Sequence, residues 1–160
     1  MIRTATPADA KQICAIYNNY IENTIISFEQ EPVSVSQMQR RITEIGAYFP
    51  WLVFEENQTI LGYTYATTWK TRTAYRHSVE TTIYISNKAT GKGIGSKLYR
   101  ALITELRTTD AHCLIACIAL PNAASIGLHE KVGFEKNAHF KEVGKKFGQW
   151  IDVGFWELML

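Results

Sequence analysis

One continuous apolar run, Cys113 to Leu120, constrains the fold of this chain more than any other feature, and Pro121 ends it. A membrane-spanning helix needs about 20 apolar residues, so this run is too short to cross a bilayer. Unbroken apolar runs of this length, without alternation, are typical of strands that are buried on both faces of a sheet. The run therefore predicts an α/β fold around a central sheet.

Residues 1–86 are predicted to contain two helices and three strands. Helices are predicted to begin at Thr6, and at Ser34 or Ser36, since each of these residues can cap a first turn. Strands are predicted over residues 51–55, 59–69 and 79–86, of which the first two form an antiparallel hairpin around the turn at 56–58.

The rest of the chain adds two helices and a final strand. A helix from Ile94 carries Leu98, Leu102 and Leu106 on one stripe, and a shorter helix opens at Asn122. Residues 150–160 form the last strand. The resulting order predicts a mixed sheet with helices on its faces. With 160 residues and no repeat or linker, residues 1–160 are expected to be a single domain.

Composition limits the class of protein. The net charge of +2 is too small to indicate a nucleic-acid partner or an anionic membrane surface. The N-terminus lacks the pattern of a signal peptide, and the three cysteines are odd in number and lack metal-ligand spacing. A reduced, cytoplasmic protein without a bound metal is expected.

Three alternating glycines, Gly91, Gly93 and Gly95, lie between a predicted strand and a predicted helix. Glycine allows successive N–H groups to point at one anion, and the helix start adds its positive dipole end. Lys88, Lys92 and Lys97 can add positive charge. The loop therefore predicts a phosphate or pyrophosphate site. The spacing fits neither a P-loop nor a dinucleotide fingerprint, and a flexible turn with a helix cap remains the alternative.

Several blocks of the sequence resemble the GNAT superfamily of N-acetyltransferases. Residues 90–95 (TGKGIG) resemble the loop that binds the acyl-CoA pyrophosphate, with Thr90 in place of the usual Gln or Arg. Residues 120–134 resemble the second cofactor motif, in which Asn122 matches the residue that binds pantetheine. Residues 50–53, 69–75, 79–85 and 150–156 are similar to the phosphinothricin N-acetyltransferase branch, which includes enzymes acting on methionine sulfoximine and methionine sulfone.

The resemblance implies a GNAT fold, a mixed sheet of about six to seven strands with about four helices. It implies direct acetyl transfer from acetyl-CoA, without a metal, to the α-amino group of a small amino acid or analogue, by a homodimer. The residues implied in acetyl-CoA binding are Ile83, Tyr84, Ile85, Gly91, Lys92, Gly93, Ile94, Gly95, Ser96 and Asn122.

Glu80 and His129 are the candidate catalytic residues. Glu80 matches the general base of the branch and, if partly buried, can accept the amine proton; the alternative is a strand-edge carboxylate paired with Lys or Arg. His129 stands where many GNAT enzymes have the Tyr that protonates the CoA thiolate, or else it is a structural helix histidine. The backbone N–H groups of residues 83–85 can stabilise the thioester oxygen only if the sheet opens there.

A cluster of cations, Lys70, Arg72 and Arg76, indicates an acceptor with an anionic or polar side chain, unless it is a solvated hairpin end. The resemblance assigns acceptor contacts to residues of three segments: Lys70, Thr71 and Arg72; Glu80, Thr81 and Thr82; and Phe28 and Glu29. A protein or peptide N-acetyltransferase and a non-catalytic acetyl-CoA-binding module are the rival hypotheses. The cluster favours a small acceptor over a peptide, and Glu80 argues against a module without chemistry.

Overall fold

The computed structural model describes residues 1–160 and has seven strands in the order β1-β2-β3-β4-β5-β7-β6. Only β4 and β5 run parallel, so the sheet is mixed, as predicted. The elements in chain order are β1 (Ile2–Thr4), α1 (Ala10–Asn23), α2 (Val35–Gly46), β2 (Trp51–Glu56), β3 (Thr59–Thr68), β4 (Ser78–Ile85), α3 (Ile94–Leu106), β5 (Cys113–Leu120), α4 (Ala123–Lys131), β6 (Glu135–Lys146) and β7 (Gln149–Met159).

Local capping explains where the first two helices begin. A 3₁₀ turn at Pro7–Asp9 precedes α1, and the Asp9 carboxylate accepts the Thr6 N–H at 2.7 Å. Ser34 rather than Ser36 caps α2, because its hydroxyl accepts the Gln37 N–H at 3.2 Å. The second helix therefore begins at Ser34 as predicted, whereas the helix expected from Thr6 opens with the 3₁₀ turn and α1 itself begins at Ala10.

Two apolar cores cover the two faces of the sheet. Trp51 and Val53 of β2 pack into the core that holds α1 and α2, while Leu52 between them belongs to the core with α3. This alternation follows from the two-residue period of a strand. The predicted arrangement of helices on both faces is confirmed.

Two strands were not predicted from local patterns. β1 has only three residues, and β6 is a largely exposed, charge-rich edge strand without apolar alternation. The expectation that β5 is buried on both faces is wrong at Cys117, which is exposed. The pairing of β4 with β5 ends at Ile115, so no strand covers this side of β5 at Cys117. None of the helices is both long and apolar enough to span a bilayer.

Candidate active site

A cavity opens where β4 and β5 separate. The two strands pair only from Ser78 to Glu80 on β4 and from Cys113 to Ile115 on β5. Beyond these positions lies a cavity of about 300 Å³ whose lining comes from both faces of the sheet, with Tyr17 on one side and Tyr99 on the other. The fold therefore places a cleft at the centre of the molecule, lined by residues of α1, β3, β4, α3, β5, α4 and β7 and of the connection between α1 and α2.

Glu80 lies at the last paired position and lines this cavity. Its carboxylate is half-buried and forms neither an ion pair nor a hydrogen bond with another side chain. Burial raises the pKa of the Glu80 carboxyl above its ordinary value. The alternative of a carboxylate tied to a neighbouring Lys or Arg therefore does not describe this residue.

Beyond Glu80 one edge of β4 has no neighbouring strand. The N–H of Ser86 donates to the Leu61 carbonyl at 2.8 Å, so Ser86 and every second residue before it on β4 form their backbone hydrogen bonds with β3. In an antiparallel ladder alternate residues face away from the partner strand, so the backbone groups of Ile83 and Ile85 face the gap. Tyr20 confirms this direction, because its hydroxyl donates to the Ile85 carbonyl at 2.6 Å.

A groove of about 270 Å³ continues from the cavity to the glycine loop. It shares Ile83, Tyr84 and Asn122 with the cavity. The groove is lined by all but one of the residues predicted to bind acetyl-CoA: Ile83, Tyr84, Ile85, Gly91, Gly93, Ile94, Gly95, Ser96 and Asn122. Lys92 is exposed beside the loop and is not part of the lining.

The three glycines serve two different purposes. Gly91 and Gly93 have φ values of +75° and +73°, and a Cβ at either position would meet nothing within 4 Å. They make the positive-φ turn that turns N–H groups toward an anion at the start of α3. Gly95 instead permits close packing of α3 and α4, because a Cβ there would lie 2.9 Å from the Leu128 side chain.

Asn122 caps α4 and borders the groove. Its side-chain oxygen accepts the Ser125 N–H at 3.1 Å, whereas its amide nitrogen has no partner within the chain. The capping bond fixes the orientation of the side chain, and the free amide donors are available to a ligand. This arrangement suits the amide and carbonyl groups of a pantetheine arm.

His129 is buried at 3% exposure, and both of its ring nitrogens are engaged. Nδ1 donates to the Ser125 carbonyl at 2.7 Å, so Nε2 accepts from the Tyr99 hydroxyl at 2.6 Å. Burial lowers the pKa of His129, and the ring is therefore neutral at neutral pH. The acid role of His129 stays a prediction. The single ring proton is on Nδ1 and bonds to Ser125, whereas the Tyr99 hydroxyl that donates to Nε2 also lies 3.2 Å from Thr81 Oγ1.

The acceptor side of the cavity contains four of the predicted contacts besides Glu80, namely Phe28, Glu29, Thr81 and Thr82. Glu29 is held by two hydrogen bonds from Arg41, at 2.7 and 3.0 Å, and by the Tyr17 hydroxyl at 2.9 Å. These bonds keep the pKa of the Glu29 carboxyl low although burial acts to raise it. The structure places Lys70, Thr71 and Arg72 beyond the end of β3 and outside the lining.

Sequence reasoning missed several residues that line the cavity: Tyr17, Ile26, Ser27, Tyr65, Tyr99 and Cys117. Tyr17 and Tyr99 carry a hydroxyl on an apolar helix face, a pattern that indicates a buried hydrogen bond. The positions of Ile26, Ser27, Tyr65 and Cys117 at the cavity depend on how distant segments pack, and the local sequence gives no indication of them.

Comparison with known proteins agrees with this site. The family model of the acetyltransferase (GNAT) domain matches residues 2–155. The chain belongs to the GNAT acetyltransferases and is an acetyl-CoA-dependent N-acetyltransferase.

Relatives with stated substrates cover nearly the whole chain. An L-methionine sulfoximine/L-methionine sulfone acetyltransferase of Pseudomonas aeruginosa is 37% identical over 161 residues, which are 99% of this chain and 94% of that protein. The crystal structure of a phosphinothricin acetyltransferase from Sinorhizobium meliloti with acetyl-CoA has a TM-score of 0.95, 36% identity, and coverage of 100% of this chain and 88% of that one. A ribosomal-protein-alanine N-acetyltransferase structure from Brucella melitensis has a TM-score of 0.97, 38% identity, and coverage of 100% and 99%.

Proposed function

We propose that this enzyme acetylates the α-amino group of small amino acids or their analogues, with phosphinothricin, methionine sulfoximine and methionine sulfone as candidate acceptors. The observation that carries the proposal is the position of Glu80. Its unpaired carboxylate lies in the cavity at the last paired residue of β4 and β5, where the acetyl-CoA groove ends. The Pseudomonas and Sinorhizobium relatives described above are named for acceptors of this class.

Glu80 is the general base of the proposed reaction. An α-amino group is mostly protonated near pH 7 and cannot attack a thioester in that form. Glu80 takes one proton directly or through a water molecule, and the raised pKa of its carboxyl makes it a better acceptor for that proton. The nitrogen then bonds to the acetyl carbon, the carbon–sulfur bond breaks, and a second proton passes to the sulfur.

Backbone N–H groups at the gap in the sheet stabilise the negative charge that develops on the thioester oxygen during transfer. The N–H groups of Ile83 and Ile85 point away from β3 and have no strand partner on the other side. Donors fixed in this way stabilise the oxygen of a thioester as it gains negative charge. The side chain of Asn122 holds the arm of the acyl carrier beside them.

A peptide acceptor is the second candidate, and the similarity to the Brucella enzyme favours it. The cavity volume of about 300 Å³ lies at the small end of ligand pockets and fits an amino acid more closely than an extended peptide. The small acceptor is therefore the primary proposal.

The deciding experiment measures CoA release with free amino acids, the three analogues and peptides with free N-termini in competition. Turnover of a free amino acid or an analogue supports the proposal, and exclusive turnover of peptides contradicts it. Calorimetric binding of acetyl-CoA without turnover of any amine would instead indicate a binding module. Glu80→Gln is expected to lower kcat by roughly 10²-fold or more. Glu44→Gln, a matched change at an exposed residue of α2, is expected to leave kcat unchanged.

We also propose that the enzyme works as a homodimer through the β6–β7 hairpin. Large apolar side chains are exposed on this hairpin, with Phe140 at 53%, Phe147 at 58% and Trp150 at 60%. A cluster of exposed apolar side chains of this size is typical of a surface that another protein covers. Two copies of the hairpin would bury these side chains against each other.

A further inference from the structure

The acceptor side of the cavity is formed by an unusual piece of chain, residues 26–29, here called the acceptor wall. All four of its side chains line the cavity. The wall belongs to the connection between α1 and α2, and residues 25–33 make no hydrogen bond from backbone to backbone. Its position therefore depends on side chains that reach it from other elements.

Two side-chain oxygens in or next to the wall accept N–H groups of the wall in place of backbone carbonyls. Thr24 Oγ1 accepts the N–H of Ile26 at 3.1 Å, and Ser27 Oγ accepts the N–H of Glu29 at 3.3 Å. Ser27 Oγ also lies 3.0 Å from the Tyr17 hydroxyl. These bonds shape the wall locally, while Tyr17 of α1 contacts both Ser27 and Glu29, and Arg41 of α2 donates to Glu29.

Lys146 ties the wall to the opposite end of the chain. It is the last residue of β6, and its Nζ donates to the Ser27 carbonyl at 2.6 Å. Lys146 is 3% exposed and is the only buried lysine of the protein. An ammonium group loses hydration on burial, and an apolar side chain of similar size usually stabilises a fold as well or better. A role beyond stability therefore accounts best for a cation at this position.

A second contact joins the same strand to the next residue of the wall. A Cβ at Gly144 of β6 would lie 2.2 Å from the Phe28 ring, so the absence of a side chain there makes room for Phe28. Phe28 and Ser27 are thus both positioned by the end of β6. The acetyl-CoA groove, by contrast, includes only Ile26 of the wall.

We propose that Lys146 is a positioning residue that holds the acceptor wall opposite Glu80 and so sets the affinity for the amine but not for acetyl-CoA. The inference rests on the proposed function, in which this cavity receives the amine. Lys146 acts through Ser27 and touches neither substrate. Gly144 supports the same wall from the neighbouring position.

Steady-state kinetics and hydrogen–deuterium exchange of Lys146→Met test the proposal, with Lys11→Met as the control. Lys11 is an exposed lysine of α1 that lines neither the cavity nor the groove. For Lys146→Met we expect the KM for the amine to rise by about tenfold, with kcat changing less and the KM for acetyl-CoA within about twofold. Deuterium uptake should rise in residues 25–33, and Lys11→Met should match the wild type in every measurement.

Other outcomes separate this proposal from the proposed function. An unchanged KM for the amine in folded Lys146→Met, or an equal rise of both KM values, overturns the positioning role. If Lys146→Met does not fold, Gly144→Ala keeps the lysine and displaces Phe28, and an unchanged KM for the amine in that variant overturns the proposal because the wall then does not set amine affinity. If the wild type acetylates no amine, the proposed function fails by itself, and deuterium uptake still decides whether Lys146 holds the wall.

Discussion

The hydroxyl of Tyr99 lies 2.6 Å from Nε2 of His129, and this bond joins α3 to α4 beneath the floor of the cavity. Tyr99 is fully buried and His129 nearly so. Burial raises the pKa of the tyrosine and lowers that of the histidine, so both side chains stay neutral at neutral pH. The pair fixes the relative position of the two helices that flank the acetyl-CoA groove.

Removing the Tyr99 hydroxyl should destabilise the protein. Tyr99→Phe leaves Nε2 of His129 buried without a donor, which costs about 1–3 kcal/mol in the free energy of unfolding. Urea denaturation measures the change. Tyr48→Phe is the control, since Tyr48 is 83% exposed and the loss of its hydroxyl should have no effect. Equal unfolding midpoints for both variants would mean that the buried hydrogen bond contributes nothing.

A side chain at Gly93 should weaken acetyl-CoA binding. Alanine at φ +73° is strained by about 1–2 kcal/mol, and relief of that strain turns the N–H groups of the loop away from the groove. Calorimetry should show a Kd for CoA raised by about tenfold. Gly46→Ala is the matched control, because Gly46 lies at the exposed end of α2, has no unusual φ and has no neighbour within 4 Å. Unaltered affinity in Gly93→Ala would separate the loop from the pyrophosphate.

Glu80 should make stability and activity respond to pH in opposite directions. The pKa of the Glu80 carboxyl is raised above its ordinary value of 4.5 in the folded state. At a pH between 4.5 and this raised pKa, the folded protein therefore binds more protons than the unfolded chain. Stability therefore falls as pH rises through this range, while activity rises because the base must be ionised. Glu80→Gln should be more stable than the wild type at pH 7, and the difference should shrink below pH 4.5.

Thermal unfolding of both proteins across pH, read beside the acid limb of the wild-type rate, checks this prediction. Glu44→Gln, on the exposed face of α2, serves as the control and should follow the wild type at each pH. A Glu80→Gln variant that is less stable at pH 7 would show that the carboxylate is stabilised by its surroundings rather than desolvated.

The proposed homodimer makes a prediction about mass in solution. Trp150→Ser removes a large apolar side chain from the exposed hairpin, and it should shift the enzyme from dimer to monomer in light scattering after size exclusion. Tyr48→Ser, which removes an exposed aromatic side chain from the connection between α2 and β2, should leave the mass unchanged. A monomeric wild type would contradict the dimer directly.

Elements with a strong local signal were predictable from sequence. The helical turn that follows Thr6, the cap at Ser34, the stripe of α3 and the glycines at 91 and 93 each express a preference of the local sequence. The position of Asn122 at the start of α4 was predictable for the same reason.

Features that depend on distant parts of the chain were not predictable. β6 is recognisable as a strand only because β7 pairs with it, and Cys117 is exposed only because β4 parts from β5. The contact of Lys146 with Ser27 joins residues separated by 119 positions. The acceptor contacts of Lys70, Thr71 and Arg72 stay a prediction, because these three residues do not line the cavity.

The lack of a backbone ladder in residues 25–33 has an evolutionary consequence. Substitutions in this connection break no sheet or helix, so the choice of amine can drift between related enzymes while the acyl carrier and the chemistry stay the same. A library randomised at Phe28 and Glu29 would then yield folded enzymes with new acceptor preferences more often than one randomised along β4.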